Sequence, residues 1–353
     1  MGRWFFPLAL LLCFVGCASG KYVIPKDGRY DNGMPPALEG TGGAFEHLLD
    51  SVLKVIVSTQ YEVEQFRHVM DSGVPVRDPL SPTGYRLMGI DRGTEARSVS
   101  GAALLMARVH RAFASDLGVA ITTAHLVDTP DTIRTYWWDE EGNKTDLLKS
   151  FRLRRSKEVF MSTRKGVNVR ASVIEMDADV DLALLTADLP RGLAEDAMRS
   201  FPYSVGNSDE LDWGNFVYLV GYPRGKPQLI GGIVSPGGPV LRIDSSVNFG
   251  FSGAPVVAIR DGLPNFELVG LCKEAPATKV KYIEADEALP KDMPLSDKLL
   301  GRLAVAELRQ IDYGITYATK VNDIRAFLLR AEDVLIRSGV DVFRTPVFDG
   351  WGF

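Results

Sequence analysis

Three short stretches of the sequence gather residue types that can do chemistry. In Ile121-Thr122-Thr123-Ala124-His125-Leu126-Val127 an apolar run enters a small-residue turn that ends on one of only four histidines in the chain. An imidazole can take up and return a proton, although a histidine after a strand can equally be structural. The other three, His47, His68 and His110, lie among charged and mixed neighbours and read as surface residues. In Asp177-Ala178-Asp179-Val180-Asp181-Leu182-Ala183-Leu184-Leu185 an acid stands at the mouth of a very apolar run. Asp177 and Asp179 read as turn or solvent residues, whereas a carboxylate drawn inside at Asp181 needs a partner, unless it only caps the strand. In Asn248-Phe249-Gly250-Phe251-Ser252-Gly253-Ala254-Pro255 small residues let the backbone turn sharply. That turn can aim the N–H groups of Gly250 and Ser252 at one spot where an oxyanion could form. Alone, a serine there is also an ordinary turn residue.

Such side chains need a frame, and the frame reads as β. Short runs rich in β-branched residues recur between turn signals: 52–57, 118–123, 180–185, 216–220, 228–234, 254–259, 267–271 and 313–317. No fixed repeat and no regular alternation with helices is visible, so an all-β core is expected rather than a doubly wound sheet. Residues Tyr61 to Ser98 read as a long irregular connection. An insertion starts near Ala275, and Leu299, Leu300, Leu303 and Leu308 suggest a helix over Ser296 to Ile311. From Asn322, read as an N-cap, the spacing of Ile324, Phe327, Leu328, Ala331 and Leu335 predicts a C-terminal helix over 322–338 that packs on the preceding β unit.

The 353 residues are enough for two packed units with their own cores. Hydrophobic residues make up 46% and the formal net charge is −5, which provides no basic stripe for a phosphate backbone. Nucleic acid is therefore not an expected partner. Arg3 followed by an apolar run to Val15 reads as a secretory signal over 1–20, too short for a membrane span. Val15-Gly16-Cys17-Ala18 resembles a bacterial lipobox, with cleavage before Cys17 and lipidation of Cys17 as the expectation; Ala18-Ser19-Gly20 offers an ordinary cleavage site instead. Residues 21–43, rich in Gly and Pro, read as a spacer, with regular structure from about Ala44. Cys272, in Leu268-Val269-Gly270-Leu271-Cys272, is left without a disulfide partner and reads as a buried hydrophobe in a strand.

Taken together, the motifs resemble the trypsin-like serine proteases, and more closely the bacterial HtrA/Deg type. Thr123-Ala124-His125, Asp181-Leu182-Ala183-Leu184-Leu185 and Gly250-Phe251-Ser252-Gly253-Ala254-Pro255 are similar to the family's histidine, aspartate and serine motifs. Val205-Gly206-Asn207-Ser208-Asp209, Asp212-Trp213-Gly214-Asn215, Val220-Gly221-Tyr222-Pro223 and Gly231-Gly232-Ile233-Val234-Ser235 look like its second-barrel landmarks. The resemblance implies an all-β fold of two packed six-stranded antiparallel barrels, about 44–190 and 205–320, within a protease domain over 44–345. It implies a catalytic triad of His125, Asp181 and Ser252, and an oxyanion hole from the amides of Gly250 and Ser252. Lys273, Glu274 and Ala275 would pair with an extended polypeptide substrate, and Ser246 would lie at the floor of the specificity pocket. No cofactor or metal is implied, and no PDZ-like module is expected after the protease. The setting would be the bacterial cell envelope, as a periplasmic or lipid-anchored protein.

Two departures stand out. Phe251 replaces the usual Asn or Asp before the nucleophile, so no acid is there to pair with a freed N-terminal ammonium, and Ala254 replaces a glycine. They motivate the alternative of a silent peptide-binding relative. An α/β-hydrolase fits less well, since its order is Ser, acid, His and its nucleophile elbow needs Gly-x-Ser-x-Gly.

Overall fold

The computed structural model describes residues 26–32, 42–111, 114–139, 143–274, 277–285, 303–340 and 351. The expected signal, Cys17 and Ala275 lie outside the described residues. Helix α1 (Gly42–Asp50) leads into the first barrel. Its strands are β1 (Val52–His68), the short pair β2 (Met70–Asp71) and β3 (Val74–Pro75), β4 (Leu87–Val109), β5 (Leu117–Thr122), β6 (Thr132–Trp138), β7 (Lys144–Ser162), β8 (Asn168–Asp177) and β9 (Leu182–Asp188). Pairing runs β1-β4-β5-β9-β8-β7 and returns to β1, so six antiparallel strands close, with β6 added outside on β7.

The second barrel follows with β10 (Ser204–Val205), β11 (Phe216–Gly221), β12 (Gln228–Ser235), β13 (Leu241–Asp244), β14 (Pro255–Ile259), β15 (Phe266–Glu274), a ribbon of β16 (Ala277–Ala285) and β17 (Leu303–Ile311), and β18 (Thr316–Lys320). Here β15-β14-β11-β12-β13-β18 close on β15, and β10 lies parallel to β15 on its outer side. The expected two six-stranded antiparallel barrels are therefore the observed fold.

Why β5 and β9 are apolar without a break follows from their place at the seam. Successive side chains of a strand point to opposite faces. Ala120, Ala183 and Leu185 enter the core of the first barrel. Ile121, Leu182 and Leu184 enter a second cluster shared with residues of the other barrel, among them Val217, Leu219 and Val256. Both faces are covered, so both alternations must be apolar. β1 has one solvent face, and its buried positions alternate instead.

Several expectations are corrected. Most of 61–98 is regular: β1 and β4 stay paired from Val52↔Leu104 to His68↔Leu87, and β1 also pairs with β7 as far as Gln65↔Ser150, with the short β2 and β3 at the tip between β1 and β4. Along this stretch β1 keeps one buried face, at Tyr61, Val63 and Phe66, whereas β4 has no buried position before Gly101 and so lacks the apolar alternation that announces a strand. Cross-strand ion pairs such as Arg92–Glu64 at 2.9 Å and Arg152–Glu95 at 2.8 Å decorate it. At about 0–1 kcal/mol each, they set pairing preferences while the backbone ladder supplies the cohesion. His68, read as a surface residue, is buried, with its ring edge-on to Tyr85.

Residues 303–311 are strand β17, paired residue for residue with β16, and not helix. The leucines that suggested a helix are three and five apart, and β pairing won; Val305 and Leu308 are exposed on the ribbon. The 313–317 strand begins three residues later, at Thr316. Residues 26–32 are not a free spacer. Tyr30 bridges Arg260 and Asn32 bridges Asn215 in antiparallel fashion, and Asp31 N–H donates to the Ile259 carbonyl at 2.9 Å. The Tyr30 hydroxyl donates to Glu267 at 2.8 Å, under the Arg260 guanidinium; burial foremost, and then that bond, push its pKa well up.

The terminal helix begins at Val321 with Lys320 as its cap, so Asn322 is not the N-cap; its amide donates to Asn207 and Asp209 instead. Helix α3 (Val321–Arg330) and the short α4 (Glu332–Arg337) bury Ile324, Phe327, Leu328, Ala331 and Leu335, the face that the spacing marked. Arg330 also reaches Asp177 of the first barrel at 2.7 Å, so the helix spans both barrels.

Cys272 lies in β15 at 1% exposure, and burial pushes its thiol pKa up to about 12. A thiol with both properties presents no thiolate to an alkylating reagent. At pH 8, iodoacetamide is expected to leave the Cys272 peptide unmodified in the folded protein and to alkylate it fully in urea, as read by mass spectrometry. Equal alkylation in both would contradict the buried placement.

Candidate active site

The pairing of β5 with β9 brings the first two candidate residues together. Thr122 at the end of β5 lies opposite Ala183 at the start of β9. His125 follows β5 in the single turn α2 (Ala124–Val127), and Asp181 immediately precedes β9, so the two meet at one end of the seam. Asp181 is 5% exposed and has φ of +57°, a left-handed conformation that aspartate adopts more readily than most residues. Its carboxylate accepts the His125 backbone N–H at Oδ1, 2.8 Å, and faces His125 Nδ1 from Oδ2, also 2.8 Å. A buried carboxylate thereby gains its two partners. With Asp181 ionised, Nδ1 must carry the hydrogen, which leaves Nε2 free to accept. Nε2 lies 2.9 Å from Ser252 Oγ.

The turn that presents Ser252 is clamped from both barrels. The Ser252 carbonyl accepts the Ala102 N–H of β4 at 2.7 Å. Gly253 N–H donates to the Cys272 carbonyl at 2.9 Å, and Cys272 N–H to the Ala254 carbonyl at 2.7 Å, so β15 holds the other side. Gly253 has φ of +81°, and a Cβ there would lie 2.0 Å from the Ala102 carbonyl oxygen and 2.3 Å from Thr122 Oγ1. Only a glycine allows that approach. Ala254 is fully buried in the shared core, which is why a small apolar residue can stand where the family pattern has glycine.

Gly250 has φ of +106°, and its carbonyl accepts the Tyr222 N–H at 2.9 Å. Tyr222 in turn donates its hydroxyl to the Val52 carbonyl of the first barrel at 2.8 Å. Burial pushes that phenol's pKa up to about 12. Among the described residues, neither the Gly250 nor the Ser252 amide donates a hydrogen bond, so both N–H groups are available to an incoming oxygen. A hydroxyl, an imidazole that can accept its proton, a carboxylate that fixes the imidazole, and two free amides beside them are the components of acyl transfer.

Residues 112–271 match the family model of the trypsin-like peptidase domain, a span that contains His125, Asp181 and Ser252. The matched span leaves out β1 and β18, the strands whose pairing closes the two barrels. Among solved structures, the chain is similar to the HtrA-type protease AlgW with a decapeptide, at 16% identity and a TM-score of 0.43, over 85% of this chain and 69% of that one. It is likewise similar to AlgW with a tripeptide, at 14% identity and a TM-score of 0.43, over 86% of this chain and 65% of that one. The chain thus spans about two thirds of the length of these proteins. No curated protein matches it.

The other expected site residues are placed as follows. Ser246 is exposed, and its hydroxyl accepts the Gly314 N–H at 3.2 Å, a neutral contact to the loop before β18. Lys273 falls in a bulge: Cys272 pairs with Ala318 and Glu274 with Tyr317, leaving Lys273 out of the ladder. Beyond Leu271, β14 no longer pairs with β15, so among the described residues the backbone at Lys273 and Glu274 has a strand edge open next to the Ser252 turn. The residues that sequence reasoning missed are those acting through their backbones or by being small, Ala102 and Gly253 above all, which carry no chemical signature. Tyr222 stood in a recognised landmark, but its tie to Val52 had no sequence signal.

The close approach at Gly253 generates a stability prediction. Gly253→Ala is expected to lower the unfolding free energy in urea by more than about 3 kcal/mol, since backbone strain is joined by overlap with Ala102. Gly237→Ala, also at positive φ but with open space around it, is expected to lose only about 1–2 kcal/mol, the left-handed penalty alone. Equal losses would show that the clamp is not tight.

Proposed function

We propose that this protein is a serine endopeptidase that hydrolyses extended or unfolded polypeptides. The observation that carries the reading is the continuous relay Ser252 Oγ, His125 Nε2, His125 Nδ1, Asp181 Oδ2, with steps of 2.9 and 2.8 Å. In this reading Ser252 attacks the scissile carbonyl while His125 takes its proton. The tetrahedral oxyanion is received by the amides of Gly250 and Ser252. His125 then returns the proton to the leaving amine, and water repeats the sequence on the acyl-enzyme. Asp181 holds the imidazole tautomer and balances the imidazolium as it forms.

The substrate class follows from the open edge of β15. A strand edge recognises an extended chain by main-chain hydrogen bonds, and the edge at Lys273 and Glu274 lies beside the Ser252 turn. A folded protein has few segments free to add to it. The neutral Ser246 gives no carboxylate for a basic side chain, so strict cleavage after Lys or Arg is not part of the proposal. The alternative, a silent peptide-binding relative, predicts binding without turnover.

The test is hydrolysis of unfolded casein by the purified protein. Turnover is expected, and Ser252→Ala is expected to reduce it by at least about three orders of magnitude with an unchanged thermal midpoint. Peptide binding with no hydrolysis by the wild type would favour the silent alternative.

A further inference from the structure

Phe251 stands between Gly250 and Ser252, whose amides would receive the oxyanion, yet its side chain points the other way. It is 2% exposed and belongs to the shared core. Its ring lies against the backbone at the end of β11: a Cβ on Gly221 would come within 2.6 to 3.0 Å of three ring atoms. No other residue type leaves room for the ring there. The next residue along, Tyr222, takes the Gly250 carbonyl through its own N–H, so one short segment, Gly221-Tyr222, grips the turn by shape at Phe251 and by a hydrogen bond at Gly250. The turn is also bonded internally, Phe251 N–H to the Asn248 carbonyl at 3.2 Å and Ala254 N–H to the Phe251 carbonyl at 2.9 Å.

The peptide planes of the turn are held through the carbonyls on either side of the Phe251 side chain. The Phe251 carbonyl, taken by Ala254 N–H, fixes the plane that carries the Ser252 N–H, while the Gly250–Phe251 plane, from which the Gly250 N–H is set one plane back, is fixed by the bond from Tyr222 N–H to the Gly250 carbonyl. Turning the segment over would break that bond and draw the Phe251 ring out of a close-packed site, which is an all-or-none event in a core at crystal-like density. Nothing in the arrangement is charged.

We propose that Phe251 is a positioning residue: an apolar lock that keeps the Gly250 and Ser252 amides aimed at the oxyanion position in the resting protein. This rests on the endopeptidase reading and adds its regulation. The site is assembled before substrate arrives, and it needs no ion pair with a freed N-terminal ammonium. Phe251 touches no reacting atom and acts through the backbone of its two neighbours.

The experiment compares wild type with Phe251→Ala, Phe251→Leu and Phe327→Ala in the full chain, Phe327 being a core residue of α3 with the same 2% exposure. Steady-state kinetics on a peptide ester are paired with the affinity for a peptide aldehyde, which forms the tetrahedral adduct and so reports on the hole. Rates are normalised to the folded fraction.

Phe251→Ala is expected to lower kcat by about 10²–10³-fold, the scale of losing an oxyanion donor. KM should stay within about threefold, and aldehyde affinity should fall in parallel with kcat. Phe251→Leu, which refills most of the site, should recover to within about tenfold of wild type. Phe327→Ala should lose stability while keeping kcat. Acetylating the N-terminus of the wild type should leave kcat unchanged.

The proposal is overturned if Phe251→Ala and Phe327→Ala show the same normalised kcat, or if aldehyde affinity is untouched. Should Phe251→Ala not fold, Phe251→Leu against wild type decides, since a lock predicts a kcat deficit without a KM change. A wild type with no turnover at all would overturn the endopeptidase reading itself, an outcome separate from these.

Discussion

The hydrogen bond from Ala102 N–H to the Ser252 carbonyl, 2.7 Å long, is the contact on which the site depends. It joins a strand of the first barrel to the Ser252 turn of the second, and so sets the distance between Ser252 and the His125–Asp181 pair. All else adjusts around it. Gly253 is bare because the Ala102 carbonyl and Thr122 hydroxyl occupy the space of its missing side chain, and that hydroxyl donates back to the same carbonyl at 2.6 Å. The two barrels are thus in register at the level of single backbone groups, a precision that side-chain packing alone reaches less sharply.

The shared core fixes the remaining freedom. Ile121, Leu182 and Leu184 on the first-barrel side meet Leu219, Val256 and Phe251 on the other within one apolar cluster. Among the strands contributing to it are those that precede His125, begin after Asp181 and follow Ser252. The surfaces holding the barrels together are therefore the surfaces that aim the chemistry. Thr319 of the second barrel adds a polar tie at the same place, donating to the Val180 carbonyl, one residue before Asp181. The terminal helix and the 26–32 segment brace the outside of this unit.

What was legible in the sequence divides along physical lines. β5, β9, β11, β14 and β15 were readable because burial on both faces demands unbroken apolar runs. His125, Asp181 and Ser252 were readable because each terminates or faces such a run with a residue type that burial would otherwise exclude. The outer half of β4 was not, since none of its positions before Gly101 is buried and charge stands on both faces. The β17 strand was misread because a two-stranded ribbon outside the core shows no apolar alternation, and a run of leucines was read as a helical face although Leu303 and Leu308 are five apart. The strapping of Tyr30 onto Arg260 and Glu267 was hidden in a Gly- and Pro-rich stretch, as it rests on long-range contacts of one aromatic residue. At the site, the sequence marked Phe251 as a departure; only its burial against Gly221 tells what the departure does.

The central claim is that Ser252 is an activated nucleophile and not merely a serine in a tight turn. A fluorophosphonate probe measures that property directly, because it phosphonylates a serine whose proton is taken by a neighbouring base and whose oxyanion is received by amides. Intact-mass analysis of the folded protein should show one adduct per chain, mapped to Ser252, absent after denaturation before exposure to the probe and absent in His125→Ala. A folded wild-type protein that stays unmodified, or one labelled at a serine other than Ser252, would contradict the account.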